Sequence, residues 1–194
     1  MVLGTTALAH GQEAWDIART TINGKEVAIE YGRPVLKGRT LVDLMNHLPS
    51  DRIWRVGAGA ITLLSAKTDL IIGGKKVPAG DYGLYMYCPA SGDYALVINS
   101  ELDEPPGTVL PRASSNRENR PFPNFMNYTS EIADKEVARI PMKQISSPRT
   151  EVLILRFEPA GKGAILGISW GEQTWAVEFQ PGDWRTEAEG STSR

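Results

Sequence analysis

Apolar and polar positions alternate with a period of two along most of the chain, and glycine and proline interrupt that alternation at short intervals. Residues 25–31 place Val27, Ile29 and Tyr31 on one face of an extended segment. Residues 60–66 and 68–72 are apolar with β-branched members, after which Gly73-Gly74 makes a turn and Pro78-Ala79-Gly80-Asp81 makes another. Residues 82–88 set Tyr82, Leu84, Met86 and Cys88 on one face and Tyr85 and Tyr87 on the other. Ser91-Gly92-Asp93 then turns the chain into residues 94–99, with Leu96 and Ile98 inward. The pattern predicts four more strands over 137–145, 151–158, 164–170 and 174–179. The last two are read as a hairpin in which Trp170 and Trp175 flank the turn Gly171-Glu172-Gln173. Residues 60–64 and 151–157 are apolar on both faces, as strands in the middle of a packed sandwich are. A helical period occurs only over 41–47, where Leu41, Leu44, Met45 and Leu48 share a side. Roughly nine short strands and one short helix select an all-β class. The expected architecture is an antiparallel two-sheet sandwich or flattened barrel, jelly-roll-like.

Residues 102–128 break the pattern. They carry Pro105, Pro106, Pro111, Pro121 and Pro123, which predicts a long irregular Pro-rich loop, and such loops in compact domains are often functional. The organisation expected is a single β domain over 20–182, an N-terminal extension over 1–19 and a polar tail over 183–194. Ala7-Leu8-Ala9 has the small-x-small form of a signal-peptidase site. As the remnant of an export signal it implies a periplasmic or secreted protein; as a plain extension it leaves the cytoplasm open.

A chain of 194 residues buries roughly 70% of its unfolded surface, so the core needs neither disulfide nor metal. Lys plus Arg number 21 against 23 for Asp plus Glu, and this balance argues against nucleic acid as the main partner while leaving room for a local basic pocket. Cys88 is the one cysteine, and its place in an alternating run reads as a small buried residue. No apolar run reaches the 20 or so residues of a membrane span.

The densest cluster of unusual residues lies over 31–59: Tyr31-Gly32-Arg33-Pro34, then Lys37-Gly38-Arg39, then Trp54-Arg55-Val56-Gly57-Ala58-Gly59. Glycines there allow the backbone to come close to a ligand. Arg33, Lys37, Arg39 and Arg55 supply charge for a carboxylate or phosphate, and Tyr31 and Trp54 supply a stacking surface. The competing reading is that these arginines brace loops by bonding carbonyls and carboxylates such as Glu30 and Asp43.

In this order, the Tyr-Gly-Arg-Pro, Lys-Gly-Arg and Trp-Arg-x-Gly-Ala segments resemble the bacterial domain-of-unknown-function family 2911. The likeness continues through Gly74-Lys75-Lys76-Val77-Pro78-Ala79-Gly80-Asp81-Tyr82-Gly83-Leu84-Tyr85, residues 134–142 and 163–179, and so spans most of 20–180. The resemblance implies a β-rich domain, usually exported, with no established activity and no catalytic residues to carry over. It also exposes a departure: Gly57-Ala58-Gly59-Ala60 stands where the family commonly has Gly-Ala-Asn.

Other chemistries find little support. His10 and His47 are the only histidines, so no metal or cofactor is expected. There is no Gly-x-Ser-x-Gly, and a Ser-His-Asp triad would fall to His47, which reads better as a helix-end residue. The leading expectation is an extracytoplasmic binding module for a small anionic or aromatic ligand at Tyr31, Arg33, Lys37, Arg39, Trp54 and Arg55. One alternative is a cofactor-independent lyase, isomerase or hydrolase, with Tyr31 or Tyr85 and Glu30 as acid and base. The other is a structural envelope protein with no ligand. Edge strands make a homodimer a reasonable partner expectation.

Overall fold

The computed structural model describes residues 14–58, 61–102 and 130–184. Its first hairpin is made by Asn23-Gly24, both with positive φ (51° and 69°), as a two-residue turn matched to the twist of its strands requires. The turn joins β1 (Ala14–Ile22) to β2 (Lys25–Arg33) in unbroken antiparallel register, from Ala14 opposite Arg33 to Ile22 opposite Lys25. Among the described residues the sheet begins with β1, whose first residues, 14–19, fall in the stretch that sequence alone reads as an extension.

From β2 the large sheet runs through β4 (Thr62–Ala66), β7 (Gly80–Tyr87) and β8 (Ala95–Asn99) to β9 (Glu136–Pro141). A seventh strand, β3 (Ile53–Trp54), pairs Ile53 with Tyr87 and Trp54 with Met86, on the side of β7 that β4 occupies further along. The smaller sheet has the order β10 (Lys143–Ala160), β11 (Gly163–Pro181), β5 (Leu70–Ile72), β6 (Lys75–Val77). All pairings are antiparallel and the sheets do not close on each other, so of the two expected forms the molecule is the sandwich.

The core lies between the sheets. Ile29, Leu64, Leu84 and Ile98 come from the large sheet, and Leu70, Ile72, Leu153, Leu166 and Phe179 from the small one, all fully buried. Each such side chain contributes roughly 1.5–3 kcal/mol by leaving water. Phe157 meets Phe179 edge to face with centroids 5.2 Å apart. The two-faced pattern of β7 is as its alternation predicts: Tyr82, Leu84, Met86 and Cys88 enter the main core, whereas Tyr85 and Tyr87 join Ile53, Ile61, Val97 and Ile132 in a second cluster on the outer face. A short helix, α2 (Ser130–Ala133), supplies Ile132 to that cluster. Buried Asn99 holds it there, donating from Nδ2 to the Ile132 carbonyl and accepting the Glu101 amide at 2.8 Å.

The predicted helix is α1 (Leu41–Asn46). Thr40 and Asp43 form a reciprocal capping box: Thr40 Oγ1 accepts from the Asp43 amide (3.1 Å) and the Asp43 carboxylate accepts from the Thr40 amide (3.0 Å). Hydrogen bonds from the Thr40 side chain and backbone hold the Asp43 carboxyl below its usual range.

The structure differs from the sequence pattern in the last third of the chain. Residues 164–170 and 174–179 belong to one 19-residue strand, so Gly171-Glu172-Gln173 is not a hairpin turn. Gly171 (φ 61°) and register shifts between Ser146, Thr150 and Ile154 let β10 and β11 bend together. In that bend the inward face of β11 changes phase: Ala164, Leu166, Ile168 and Trp170 point in before it, and Trp175, Val177 and Phe179 after it. Similarly, residues 137–145 divide between β9 and the start of β10, which then continues through Pro148. The Ala7-Leu8-Ala9 segment, His10, Gly59, Ala60, residues 103–129 and the tail beyond Trp184 lie outside the described residues.

Candidate functional site

The motif segments that stand apart in sequence meet backbone to backbone. A Cβ on Gly32 would overlap the Ala58 carbonyl, and one on Gly57 would sit 2.8 Å from Thr62 Oγ1 and 3.2 Å from the Gly32 oxygen. Both positions therefore need glycine for a close approach. Thr62 Oγ1 donates to the Val56 carbonyl at 2.8 Å, securing the loop between β3 and β4. Within that loop Val56 has φ 51°, a left-handed conformation costing a β-branched residue about 1–3 kcal/mol. Its side chain is fully buried, which offsets the strain.

Of the six residues expected in a pocket, Tyr31 and Arg33 hold the two sheets together and Arg39 braces the loop that follows β2. Tyr31 is fully buried, and its hydroxyl accepts the Leu155 amide of β10 at 3.0 Å. The same oxygen lies 3.4 Å from both the Leu155 carbonyl and Asp16 Oδ2, two acceptors for its one proton. Burial pushes the Tyr31 hydroxyl above its ordinary value and keeps it neutral. Arg33 Nε donates to the Leu153 carbonyl (3.4 Å), and its Nη1 lies 3.6 Å from Asp16 Oδ2. Arg39 donates from Nε to the Leu36 carbonyl (2.8 Å) and from Nη2 to that of Val35 (3.1 Å). Between them the backbone is stitched to the edge of β10: Leu153 N bonds Pro34 O (3.1 Å) and Leu36 N bonds Glu151 O (2.9 Å). The bonds of Arg33 and Arg39 thus go to carbonyls and Asp16, and Asp43, one of the carboxylates expected from sequence, caps α1 instead.

The remaining three lie elsewhere. Lys37 is exposed in a tight turn with Gly38, at φ 53° and 78°. Trp54 is half-buried on β3 and stacks on Trp170 of β11, with centroids 5.2 Å apart and planes 12° from parallel. Arg55, also half-buried, follows directly.

Sequence reasoning missed what surrounds Trp54. Arg52, in a left-handed conformation (φ 60°), donates from Nε to the Cys88 carbonyl (2.9 Å) and from Nη1 to the Met45 carbonyl (2.8 Å), tying α1 to β7. Tyr94 packs on Trp175 with centroids 5.2 Å apart. Burial raises the Tyr94 hydroxyl first, and the nearby Cys88 adds to it. Burial pushes the Cys88 thiol up to about 12. Two aromatic pairs thus join β11 to the large-sheet side, Trp54 with Trp170 and Tyr94 with Trp175, and the Arg52 charge is felt at Tyr94. The indole N–H groups of Trp170 and Trp175 are buried and have no hydrogen-bond partner among the described residues. The signal available in sequence was the tryptophan pair itself, obscured by its reading as a hairpin.

A second polar feature lies on the outer face of the large sheet. Glu30 is 5% exposed there, between Ile17 of β1 and Leu63 of β4, and the same row continues through Gly83 to Asn99. The Tyr85 ring leans over Gly83, where a Cβ would come within 3.2 Å of it. Among the described residues no group of three His, Cys, Asp or Glu side chains is placed to hold a metal, and no helix is long and apolar enough to cross a membrane.

A family model described as Protein of unknown function (DUF2911) matches residues 14–179. No curated protein and no solved structure gives a significant match. The matched span runs from the first residue of β1 almost to the end of β11, and it contains the glycine contact, the inter-sheet bonds and the tryptophan stack; the chain belongs to the DUF2911 family of proteins of unknown function.

Proposed function

We propose that this domain is a binding module for a small anionic or aromatic ligand, taken where β3 ends, with Trp54 as the stacking surface and Arg55 as the cation. The observation that carries the reading is the Trp54–Trp170 stack. Trp170 covers one face of the Trp54 ring, and the half-buried ring keeps part of its flat apolar surface open, one residue before Arg55. Tyr31, Arg33 and Arg39 serve the site indirectly, by fixing the backbone against which the Val56–Ala58 loop rests. The extracytoplasmic location implied by the family resemblance goes with this reading.

Thermal melts and tryptophan fluorescence with benzoate and phenyl phosphate test it. Both probes are expected to raise the Tm of the wild-type protein. Arg55→Ala should remove that rise, whereas Arg39→Ala should lower the Tm of the free protein and keep the rise. If neither probe moves melt or fluorescence up to millimolar concentration, the binding reading fails.

The enzymatic reading has one observation in its favour, the burial of Glu30 in a row with Gly83 beneath the Tyr85 ring. Hydrolysis of p-nitrophenyl acetate by the wild-type protein, abolished in Glu30→Gln, would move the assignment to catalysis.

A further inference from the structure

We infer that the outer edge of β1 is a pairing surface for a second copy of this chain, with the two β1 strands antiparallel and Ala18 opposite Ala18. The inference does not depend on the ligand reading above. β1 pairs with β2 alone and ends the large sheet. The Glu26 carbonyl of β2 accepts the Lys67 amide on the β4 side, which leaves the odd-numbered residues of β2 to bond β1. Their partners are Asp16, Ala18, Thr20 and Ile22, so the backbone N–H and C=O groups of Ile17, Arg19 and Thr21 point away from the sheet. Asp16 Oδ1 takes the Ile17 amide at 2.9 Å, while the Arg19 and Thr21 amides have no partner among the described residues. A bare sheet edge invites another strand, and natural proteins blunt their edges with prolines, lysines, bulges or a covering segment. The other ends of the two sheets are treated in these ways. β6 has three residues, two of them Lys75 and Lys76. β9 has a register shift beside it and ends at Pro141. β10 holds Pro148 and Pro159, and its edge is bonded to Pro34 and Leu36. β1, by contrast, runs nine residues in unbroken register with no proline, glycine or lysine. Its two charged side chains are engaged within their own copy, Asp16 with Arg33 and Arg19 with Glu26, both at 3.6 Å. The strand is also close to self-complementary. Centred on Ala18, Arg19 of each copy bonds Ile17 of the other, and Thr20 faces Asp16, whose carboxylate exchanges the Ile17 amide for the Thr20 hydroxyl. Centred on Arg19, two guanidinium groups would stand opposite each other, which destabilises a pair. Centred nearer the turn, each strand would run past the end of its partner. An interface built on one edge is small, so the dimer is weak and forms by mass action.

Sedimentation velocity over a concentration series tests this. The wild-type mass should rise from that of one chain toward that of two, and Arg19→Pro should stay at one chain throughout. That proline removes an N–H that β2 does not use, a position that edge strands tolerate, so the variant should keep the wild-type circular dichroism. Should it fail to fold, Ala18→Cys reads the same contact. In a non-hydrogen-bonded pair the two Cα atoms lie roughly 4.5 Å apart, so a mild oxidant should close a disulfide between copies, and its failure to do so overturns the inference. Wild-type protein that stays monomeric to millimolar concentration overturns it as well. So does a dimer that Arg19→Pro leaves intact, because its interface would lie on another face. A monomer whose Arg19 and Thr21 amides resist hydrogen exchange assigns the edge to residues of its own chain, and again the inference falls.

Discussion

At the residue scale Tyr31 concentrates the most work. Its hydroxyl is the partner of a backbone amide that no strand of the small sheet reaches, that of Leu155. Removing it in Tyr31→Phe leaves a buried N–H unpaired, so stability should drop by about 1–3 kcal/mol. In guanidinium titrations the midpoint is expected to fall with an unchanged slope, and the Leu155 amide should exchange faster than its neighbours in β10. A merely peripheral tyrosine would change neither. The same residue shapes the alkaline limit. Its folded-state pKa lies above the ordinary 10, because burial outweighs the Leu155 hydrogen bond and the Arg33 charge. The folded state therefore holds the proton more tightly than the unfolded one. The contribution is complete below about pH 10 and is lost as pH rises through the folded value. Tyr31→Phe should flatten that part of the alkaline decline and leave the shares of Tyr94 and Cys88, which are raised by burial too.

At the scale of elements, the contact between the end of β2 and the loop after β3 depends on absent side chains. Gly32→Ala drives a methyl into the Ala58 carbonyl, between a β2 end bonded to β10 just beyond it and a loop held by Thr62. The expected loss is at or beyond the top of the roughly 1–3 kcal/mol typical of overpacking. Gly57→Ala meets the Thr62 hydroxyl and should cost less. Equal and negligible effects in urea melts would contradict the packing described. The strands were legible where one alternation served two buried faces, as in β7, because burial of both faces leaves apolar residues at every position of Leu84–Met86. They were not legible where local chemistry misleads. Gly171-Glu172-Gln173 reads as a turn and 146–150 falls between two expected strands, yet a bulged pair of long strands absorbs both. β1 has an edge-strand pattern too weak to notice without the Asn23-Gly24 turn that marks its end. For the candidate site, the motif announced itself, but the division of labour within it did not. The arginines of the motif look alike in sequence, and only the fold shows that Arg33 and Arg39 meet backbone carbonyls.

At the scale of the whole molecule, Cys88 reports on integrity. It is the single thiol, it is fully buried, and its pKa near 12 leaves almost no thiolate at neutral pH. Native protein should resist Ellman's reagent, and labelling should rise with denaturant in step with global unfolding. Rapid labelling in buffer would reveal local opening at the Arg52–Tyr94 end, and benzoate should then slow it. The bonds that close the sandwich also link distant parts of the chain: Arg33 reaches Leu153 across 120 positions, and Tyr31 reaches Leu155 across 124. During synthesis Tyr31 thus emerges well before its partner exists, by roughly 6–25 s at the usual pace of a ribosome. For that interval the first hairpin lacks β10 and β11, the strands that cover it, and a nascent chain halted short of β10 offers the inner face of that hairpin to whatever chaperone is nearest.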